Sequence, residues 1–395
     1  MICLSIPVYS FMLFQFGLRS SLLLIFFTHL VVYAFLFWKR GHQQERLSDR
    51  LLGTFVFLSA LFIFPWMSGF AGWYDTQPYR EILFYTPFIH TLFFGPLLYL
   101  YLKSLTNVQY RLQKRDWLHF TPGILYIIWA LIKVITDKLI VGHYYLMNGE
   151  TDPDFDSWYN WGWSASLMVY LVLSIRYYRQ YVVFSWYEFS FADAASFKWL
   201  RNFLYAFAVL TILLFSEHVL GLFINLFYIR SWYYFFAFAI ITYYMAISAY
   251  SAKPIIKLNF EPSLLLTYQP LLIEEPIRTV EDQSWMLGWI ASIEVLMDGQ
   301  KVYLEPELTL TELAKKAGTN ASVLSKVINK TYGQNFSDYV NRYRVKEVIR
   351  LLKQPEYQNF TLLAVAYDAG FNSKSTFNRA FKKETGMSPK DYPKD

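Results

Sequence analysis

The sequence predicts an all-α protein: a seven-helix transmembrane bundle, then a cytoplasmic all-α domain of two helix-turn-helix units joined by a long helix. Three observations predict this class. Hydrophobic residues make up 55% of the 395 residues and charged residues 17%, and the charged residues concentrate towards the C-terminus. Apolar stretches of membrane-spanning length fill residues 1–251. After a proline-marked linker at 252–283, residues 284–395 instead place apolar residues at helical spacing, interrupted by glycine.

The apolar stretches of the first part are each long enough to cross a bilayer, which takes about 20 residues of helix. Trp and Tyr crowd their ends, as they do at membrane interfaces. We predict seven spans, at Phe14–Trp38, Leu51–Trp73, Ile82–Leu102, Trp117–Ile135, Trp158–Ile175, Trp199–Phe223 and Trp232–Tyr250.

The loops between these stretches alternate in positive charge. The first, third and fifth loops carry Lys39, Arg40, Arg46, Arg50, Lys103, Arg111, Lys114, Arg115, Arg176, Arg179, Lys198 and Arg201. The second, fourth and sixth loops carry few cations, and the fourth is acidic. Because cytoplasmic loops are enriched in Lys and Arg, we predict that the N-terminus lies outside and that everything after Tyr250 lies in the cytoplasm.

Prolines mark the segment that follows the last span. Pro254, Pro262, Pro270 and Pro276 break any continuous helix between residues 252 and 283, which predicts a semi-extended tether. The next stretch, Trp285–Met297, has the apolar spacing of an amphipathic helix. Two roles remain open for it: packing on the first helix-turn-helix unit, or a dimer contact that pairs two such domains.

The first helix-turn-helix unit begins near Leu308. Thr309 or Thr311 can cap its first helix, Gly318 provides the turn, and Asn320 can cap the second helix. The second helix has an apolar face of Leu324, Val327 and Ile328. Its opposite face is polar and cationic, as is typical of surfaces that contact base edges and phosphates. That face carries Ser322, Ser325, Lys326 and Asn329.

The second unit repeats this plan. A helix from Leu362 ends at Gly370, and Asn372 or Ser373 can cap the next helix, whose core residues are Phe377 and Phe381. We predict that its outward face consists of Lys374, Ser375, Asn378, Arg379 and Lys382. Between the units, Phe336–Lys353 forms the joining helix, for which we predict a solvent-facing side of Arg342, Arg344, Lys346 and Arg350.

The stretch from Ala366 to Tyr392 resembles the C-terminal signature of the AraC/XylS family of bacterial transcription regulators. The segments Leu310–Ala314 and Asn335–Arg344 resemble that family's first unit and joining helix. The resemblance implies that the two second helices enter successive major-groove segments of double-stranded promoter DNA. It places base-contacting positions at Ser322, Ser325 and Lys326, and at Lys374, Ser375 and Arg379. From Lys301 onward, 16 Lys and Arg against 10 Asp and Glu leave an excess of 6, which suits phosphate contact.

Ionisable residues within predicted spans are a further feature, because charge is costly in lipid and usually faces an interior or a cavity. They include His90 in the third span and the adjacent Glu217 and His218 in the sixth. Two interpretations stay open: these three residues line an outward-facing pocket that senses a small ligand or pH, or they form a structural hydrogen bond between helices.

No motif for an enzyme, a metal site or a cofactor stands out, so we predict a non-enzymatic protein with no cofactor. The predicted location is the bacterial inner membrane, with several spans and the C-terminal domain in the cytoplasm. Predicted partners are promoter DNA, the lipid bilayer, a second copy in a homodimer, an unknown small ligand or membrane partner, and RNA polymerase. The alternative is a membrane transporter or receptor whose helix-turn-helix domain binds protein.

Overall fold

The computed structural model describes residues 15–147, 152–221, 223, 228–252, 259–265 and 281–392, without side chains at 228–230 and 281–284. Over these ranges the chain is helical, and its named elements include no β-strand. The predicted all-α class is therefore confirmed. The chain divides into two units: Met1–Ile175 with Trp199–Ile256, and Arg176–Lys198 with Lys257–Asp395.

The helices of the first unit pack around α2. The α-helices that contribute to it are α1 (Leu18–Gln43), α2 (Leu47–Gly69), α3 (Tyr79–Tyr85), α4 (Phe94–Thr106), α5 (Thr121–Val134), the first part of α6 (Ser157–Glu188), α8 (Lys198–Gly221) from Trp199 onward, and α9 (Tyr228–Ser251). α2 contacts α1, α4 and α9. The interior between them is aromatic: Phe62 lies 5.0 Å from Phe238 and 5.7 Å from Phe94, measured between ring centroids.

Four described helical stretches are long and apolar enough to cross a membrane, at Leu18–Gln43, Leu47–Gly69, Ala192–Gly221 and Ser231–Ser251. They overlap the first, second, sixth and seventh predicted spans, and the count of seven stays a prediction.

The third predicted span is not one helix. α3 ends at Tyr85, and helical structure resumes only at Thr91. Pro87 explains the break, because it donates no amide hydrogen and disfavours helical geometry at the residue before it. The next two amides instead donate to the Asp154 carboxylate, from Phe88 N at 2.7 Å and from Ile89 N at 2.9 Å.

The second unit is organised around the long helix α13. Its α-helices are the last part of α6, α7 (Ala192–Ala195), α10 (Glu281–Glu294), α11 (Leu310–Lys316), α12 (Ala321–Tyr332), α13 (Phe336–Leu352), α14 (Leu362–Asp368) and α15 (Lys374–Thr385). α13 contacts α12, α14 and α15. One side of its core is built from Val345, Val348, Val365, Phe371, Phe377 and Phe381, which are all buried.

Helix α10 contacts α12, the second helix of the first helix-turn-helix unit, and Ile293 near its end and Met297 just after it are fully buried. This agrees with the first of the two roles predicted for Trp285–Met297; the dimer contact stays a prediction. Within the predicted linker, Pro254, Pro270 and Pro276 lie outside the described residues. The short described stretch around Pro262 includes Phe260, whose ring is buried against Tyr177 and Tyr181 of α6.

Arg344 corrects the predicted solvent-facing side of α13. Its side chain is completely buried, whereas Lys346 and Arg350 on the same helix are exposed. Arg344 Nε donates to Tyr303 O at 2.7 Å, and its Nη2 donates to Glu305 O at 2.6 Å. A guanidinium tolerates burial when its donors are satisfied in this way. These acceptors lie about forty positions before it in the chain, so the local helical pattern could not reveal them.

Candidate nucleic-acid interface

The first helix-turn-helix unit is held by two caps and a left-handed turn. Thr309, not Thr311, caps α11, and its side chain and that of Glu312 form a reciprocal capping box. Gly318 in the turn has φ +75°, a conformation that costs glycine little. Asn320 then caps α12, because its side-chain oxygen accepts from Val323 N at 2.9 Å. These local features fix the angle at which α12 leaves the turn.

The second unit uses the same devices. Thr361 caps α14, and Gly370 turns the chain at φ +90°. Of the two predicted caps for the next helix, Ser373 performs the role: its Oγ accepts from Thr376 N at 3.2 Å. The buried rings of Phe377 and Phe381 anchor α15 on the core, so the opposite face of α15 is turned away from it.

The predicted contact residues on α15 differ in accessibility. Lys374, Ser375 and Asn378 are exposed, together with Lys382 one turn further on. Arg379 is partly exposed, and two of its three nitrogens are bonded: its Nε donates to Asp193 Oδ2 at 2.5 Å and its Nη1 to Asp338 Oδ1 at 3.4 Å. Its guanidinium carbon also lies 4.1 Å from the centre of the Trp186 ring.

The predicted contact residues on α12 are less exposed than those on α15. Ser322, Lys326 and Asn329 are partly exposed, but Ser325 is only 3% exposed, so its predicted place on the outward face is wrong. α12 contacts three helices, α10, α11 and α13. The pattern of the helix-turn-helix unit by itself does not include the contact with α10, so it predicts an exposed face that is wider than the real one. Lys326 Nζ lies 5.6 Å above the Trp285 ring of α10.

A set of residues that we did not predict surrounds this interface. Ser190 contributes most: Asn341 Nδ2 donates to its carbonyl oxygen at 2.8 Å, and Arg344 Nη2 donates to its hydroxyl at 3.1 Å. Asp193 lies three residues further along. Their sequence signal was weak, because Phe189–Ala195 resembles an ordinary loop between spans and its partners lie about 150 or more positions away.

The first unit contains a separate cavity of about 310 Å³. Glu217 and His218 both line it, whereas His90 does not, so the structure brings together two of the three predicted sensing residues. The walls of the cavity are aromatic: the rings of Trp66 and Phe235 stack with their centroids 4.3 Å apart. The remaining lining includes Phe62, Phe155, Trp161, Trp163 and Ser231.

The two predicted residues that line this cavity contact nearby protein groups. Ser231 Oγ donates to Glu217 Oε1 at 3.3 Å. His218 Nδ1 lies 2.8 Å from Leu214 O, an intrahelical contact that leaves the other ring nitrogen directed elsewhere. His90 lies beside Ile89 at the start of the turn before α4, where its Nδ1 is buried. The bond from Ser231 to Glu217 joins α9 to α8, as the alternative of a structural hydrogen bond between helices expects, and the sensing role stays a prediction.

Comparison with known proteins matches residues 313–395 to a helix-turn-helix domain family. An AraC-like transcription regulator of Streptomyces lividans is 35% identical over 86 residues, which are 22% of this chain and 27% of that protein. One from Streptomyces antibioticus is 35% identical over 112 residues, 27% of this chain and 36% of that protein. The melibiose operon regulatory protein of Escherichia coli K12 is 26% identical over 136 residues, 32% of this chain and 41% of that protein.

The domain at the C-terminus is thus a double helix-turn-helix domain. It is of the AraC/XylS type, as its motifs indicated. The chain spans less than half the length of these relatives. No solved structure matches the chain.

Proposed function

We propose that this protein is a membrane-anchored, sequence-specific DNA-binding transcription regulator without enzymatic activity. The observation that carries the proposal is the exposed face of α15, where Lys374, Ser375 and Asn378 stand on a capped helix anchored from behind by two phenylalanines. Amide and ammonium groups so placed are the donors that recognise adenine and guanine edges in the major groove. Ser322, Lys326 and Asn329 on α12 supply a second contact region.

Membrane anchoring is supported by the four long apolar helical stretches and by the alternating charge of the loops between the predicted spans. In this arrangement the DNA-binding domain lies on the cytoplasmic side of a bacterial inner membrane. Two single-cysteine variants test it, each made with Cys3→Ser. A membrane-impermeant thiol reagent added to intact cells is expected to label Tyr145→Cys, in the predicted outside loop, and not Lys390→Cys.

DNA recognition is tested with the full chain in lipid nanodiscs. DNA is selected from a randomised library and from the region upstream of the gene, then measured by fluorescence anisotropy across a salt series. Asn378→Ala is expected to weaken binding to the selected sequence by roughly 5- to 100-fold, the range for one base contact, while leaving scrambled DNA unaffected.

The matched control is Lys346→Ala, which removes an exposed cation from α13 and lies on neither second helix. It is expected to change binding to selected and scrambled DNA alike and only slightly. If the library yields no enriched sequence, and Lys326→Ala with Arg379→Ala leaves the cellular phenotype intact, the proposal fails. The alternative of a transporter or receptor with a protein-binding domain then replaces it.

For the signal, we propose that the cavity lined by Glu217 and His218 binds a small organic cation. Faces of Trp and Phe attract cations, and a carboxylate complements the charge. Within the described residues, the polar contact of Glu217 is the serine hydroxyl of Ser231 rather than a Lys or Arg. The cavity's volume suits a small molecule.

Benzyltrimethylammonium serves as a probe for the full chain in nanodiscs. It is expected to quench cavity tryptophan fluorescence in the wild type and to bind at least tenfold more weakly to Glu217→Gln. Neutral benzyl alcohol is the matched ligand control. Equal binding of both compounds, or no effect of Glu217→Gln, would remove the cation site while leaving the DNA-binding proposal intact. A homodimer and contact with RNA polymerase are further partners consistent with this function.

A further inference from the structure

Residues Arg176–Lys198 belong to the same compact unit as the DNA-binding domain, although they lie between two predicted spans. The backbone of this segment pairs with the start of α11: Phe189 and Thr309 form an antiparallel bridge, which includes the hydrogen bond from Ser190 N to Leu308 O at 3.2 Å. Glu188 adds a second contact, because its Oε1 accepts from Thr311 N at 3.3 Å. The segment is therefore docked on the first helix-turn-helix unit by directional bonds.

The segment is also bonded to the joining helix α13. Asn341 donates to the carbonyl oxygen of Ser190, and buried Arg344 donates to the hydroxyl of Ser190 while also holding the chain at Tyr303 and Glu305. Both side chains belong to the interior of the domain. Ser190 is itself fully buried, so the segment is packed into the domain at this point.

Three residues after Ser190, Asp193 forms an ion pair with Arg379 of α15. Its carboxylate accepts from Arg379 Nε, while Trp186 covers the face of the same guanidinium at 4.1 Å. Arg379 Nη1 is turned to Asp338, and its Nη2 is buried. All three nitrogens of the Arg379 guanidinium are therefore bonded or buried. A guanidinium needs two accessible nitrogens to bond a guanine edge or a phosphate.

We propose that the segment Arg176–Lys198 is a built-in inhibitor of DNA binding that keeps Arg379 occupied until the segment is displaced. The proposal rests on the DNA-binding function proposed above. Asp193 supplies the negative charge that the DNA would otherwise supply, and Trp186 supplies the stacking surface. Lys374, Ser375 and Asn378 stay exposed in this state, so the segment lowers specific affinity rather than abolishing contact with DNA. Because the segment continues along the chain into a predicted span on either side, a membrane signal can reach its non-covalent contact with Arg379.

The test uses the full chain in nanodiscs and the selected DNA sequence. Asp193→Asn keeps the size of the side chain and removes its charge, and it is expected to tighten specific binding by about tenfold, within the usual range of intramolecular coupling. Asp193→Glu retains the charge and is expected to bind like the wild type. Lys198→Gln removes the other ion pair of Asp193 and leaves the contact to Arg379, so it is also expected to change little.

A double-mutant cycle separates this inhibitor from a general loosening of the domain. In an Arg379→Ala background, Asp193→Asn is expected to give no further gain, because the residue that it releases is absent. A tenfold gain in both backgrounds would overturn the proposal, as would unchanged or weaker binding of Asp193→Asn with Arg379 present.

Hydrogen exchange of residues 186–193 in the intact chain gives a readout that needs no DNA. Faster exchange there in Asp193→Asn, with α13 unchanged, is expected if the segment undocks while the domain stays folded. Slower or unaltered exchange in the segment contradicts the proposal. Absence of sequence-specific binding by every variant overturns the proposed function, whereas specific binding that ignores Asp193 overturns only the inhibitor.

Discussion

Replacing Arg344 by methionine is expected to destabilise the DNA-binding domain far more than any other loss of a cation from α13. The side chain is fully buried and donates to two backbone carbonyls, a serine hydroxyl and an asparagine amide oxygen. Burial lowers the pKa of Arg344 to about 9. That pKa is still above neutral pH, so the buried guanidinium stays charged there, and the surrounding acceptors satisfy its donors.

The magnitude follows from the acceptors left behind. Methionine fills much of the volume but donates nothing, so the carbonyls of Tyr303 and Glu305 lose their bonds to this side chain. A buried polar group without its partner costs about 1–3 kcal/mol. Water that enters the site offsets part of the cost of the two unpaired carbonyl groups. The remaining loss of stability is roughly 3 kcal/mol, which increases the equilibrium constant for opening of the domain about 100-fold.

Hydrogen exchange in the intact chain in detergent is the suitable assay, because a chain of two units does not unfold in one step. The amides of Val345 and Val348 on α13 report the opening of this domain. The matched control is Arg342→Met, which breaks a partly exposed ion pair with Glu384 and is expected to cost at most about 1 kcal/mol. A loss of protection below tenfold for Arg344→Met, or one equal to the control, would refute the account of the buried network.

Three more predictions concern caps, turns and pH. Thr309→Ala removes the capping box of α11 and is expected to lower the domain's stability by about 1 kcal/mol, while Thr311→Ala at an exposed position changes it by less; exchange of α11 amides measures both. Gly370→Ala is expected to be more damaging than Gly333→Ala, because the new Cβ would lie 2.6 Å from Tyr303 O in the first case and meets nothing within 4 Å in the second; thermal unfolding monitored by circular dichroism ranks them. Burial, and then the neighbouring charge of Asp154, raises the pKa of Asp152 to about 7. A raised pKa gives stability that is present at low pH and is lost as the pH rises through about 7. The detergent-solubilised protein is therefore expected to melt several degrees lower at pH 8 than at pH 5, and Asp152→Asn is expected to reduce this difference. An unchanged difference in the variant would contradict the role of Asp152.

The predicted residues show how far local pattern extends. The glycine turns at Gly318 and Gly370 and the caps at Asn320 and Ser373 lie where the sequence places them. Each is decided by residues within a few positions, because capping and left-handed turns are local chemistry. The apolar faces of α12 and α15 follow equally from helical spacing.

Most of the failures involve residues that are distant in the chain. Ser325 is buried on a helix that contacts three others. Arg344 satisfies its donors at Tyr303, Glu305 and Ser190, and the third predicted span is interrupted where the amides of Phe88 and Ile89 turn to Asp154. Helical periodicity cannot reveal a hydrogen-bond partner that lies dozens of positions away.

The sequence by itself therefore determined the all-α class, the double helix-turn-helix domain and the helices that carry its polar faces, because spacing and capping are properties of short stretches. Only the tertiary structure decided which polar residues are accessible. Whether Arg379 points to solvent or to Asp193 depends on the free energy of a contact between residues 186 positions apart. Such a contact forms only when the chain between them folds, and no local pattern records it.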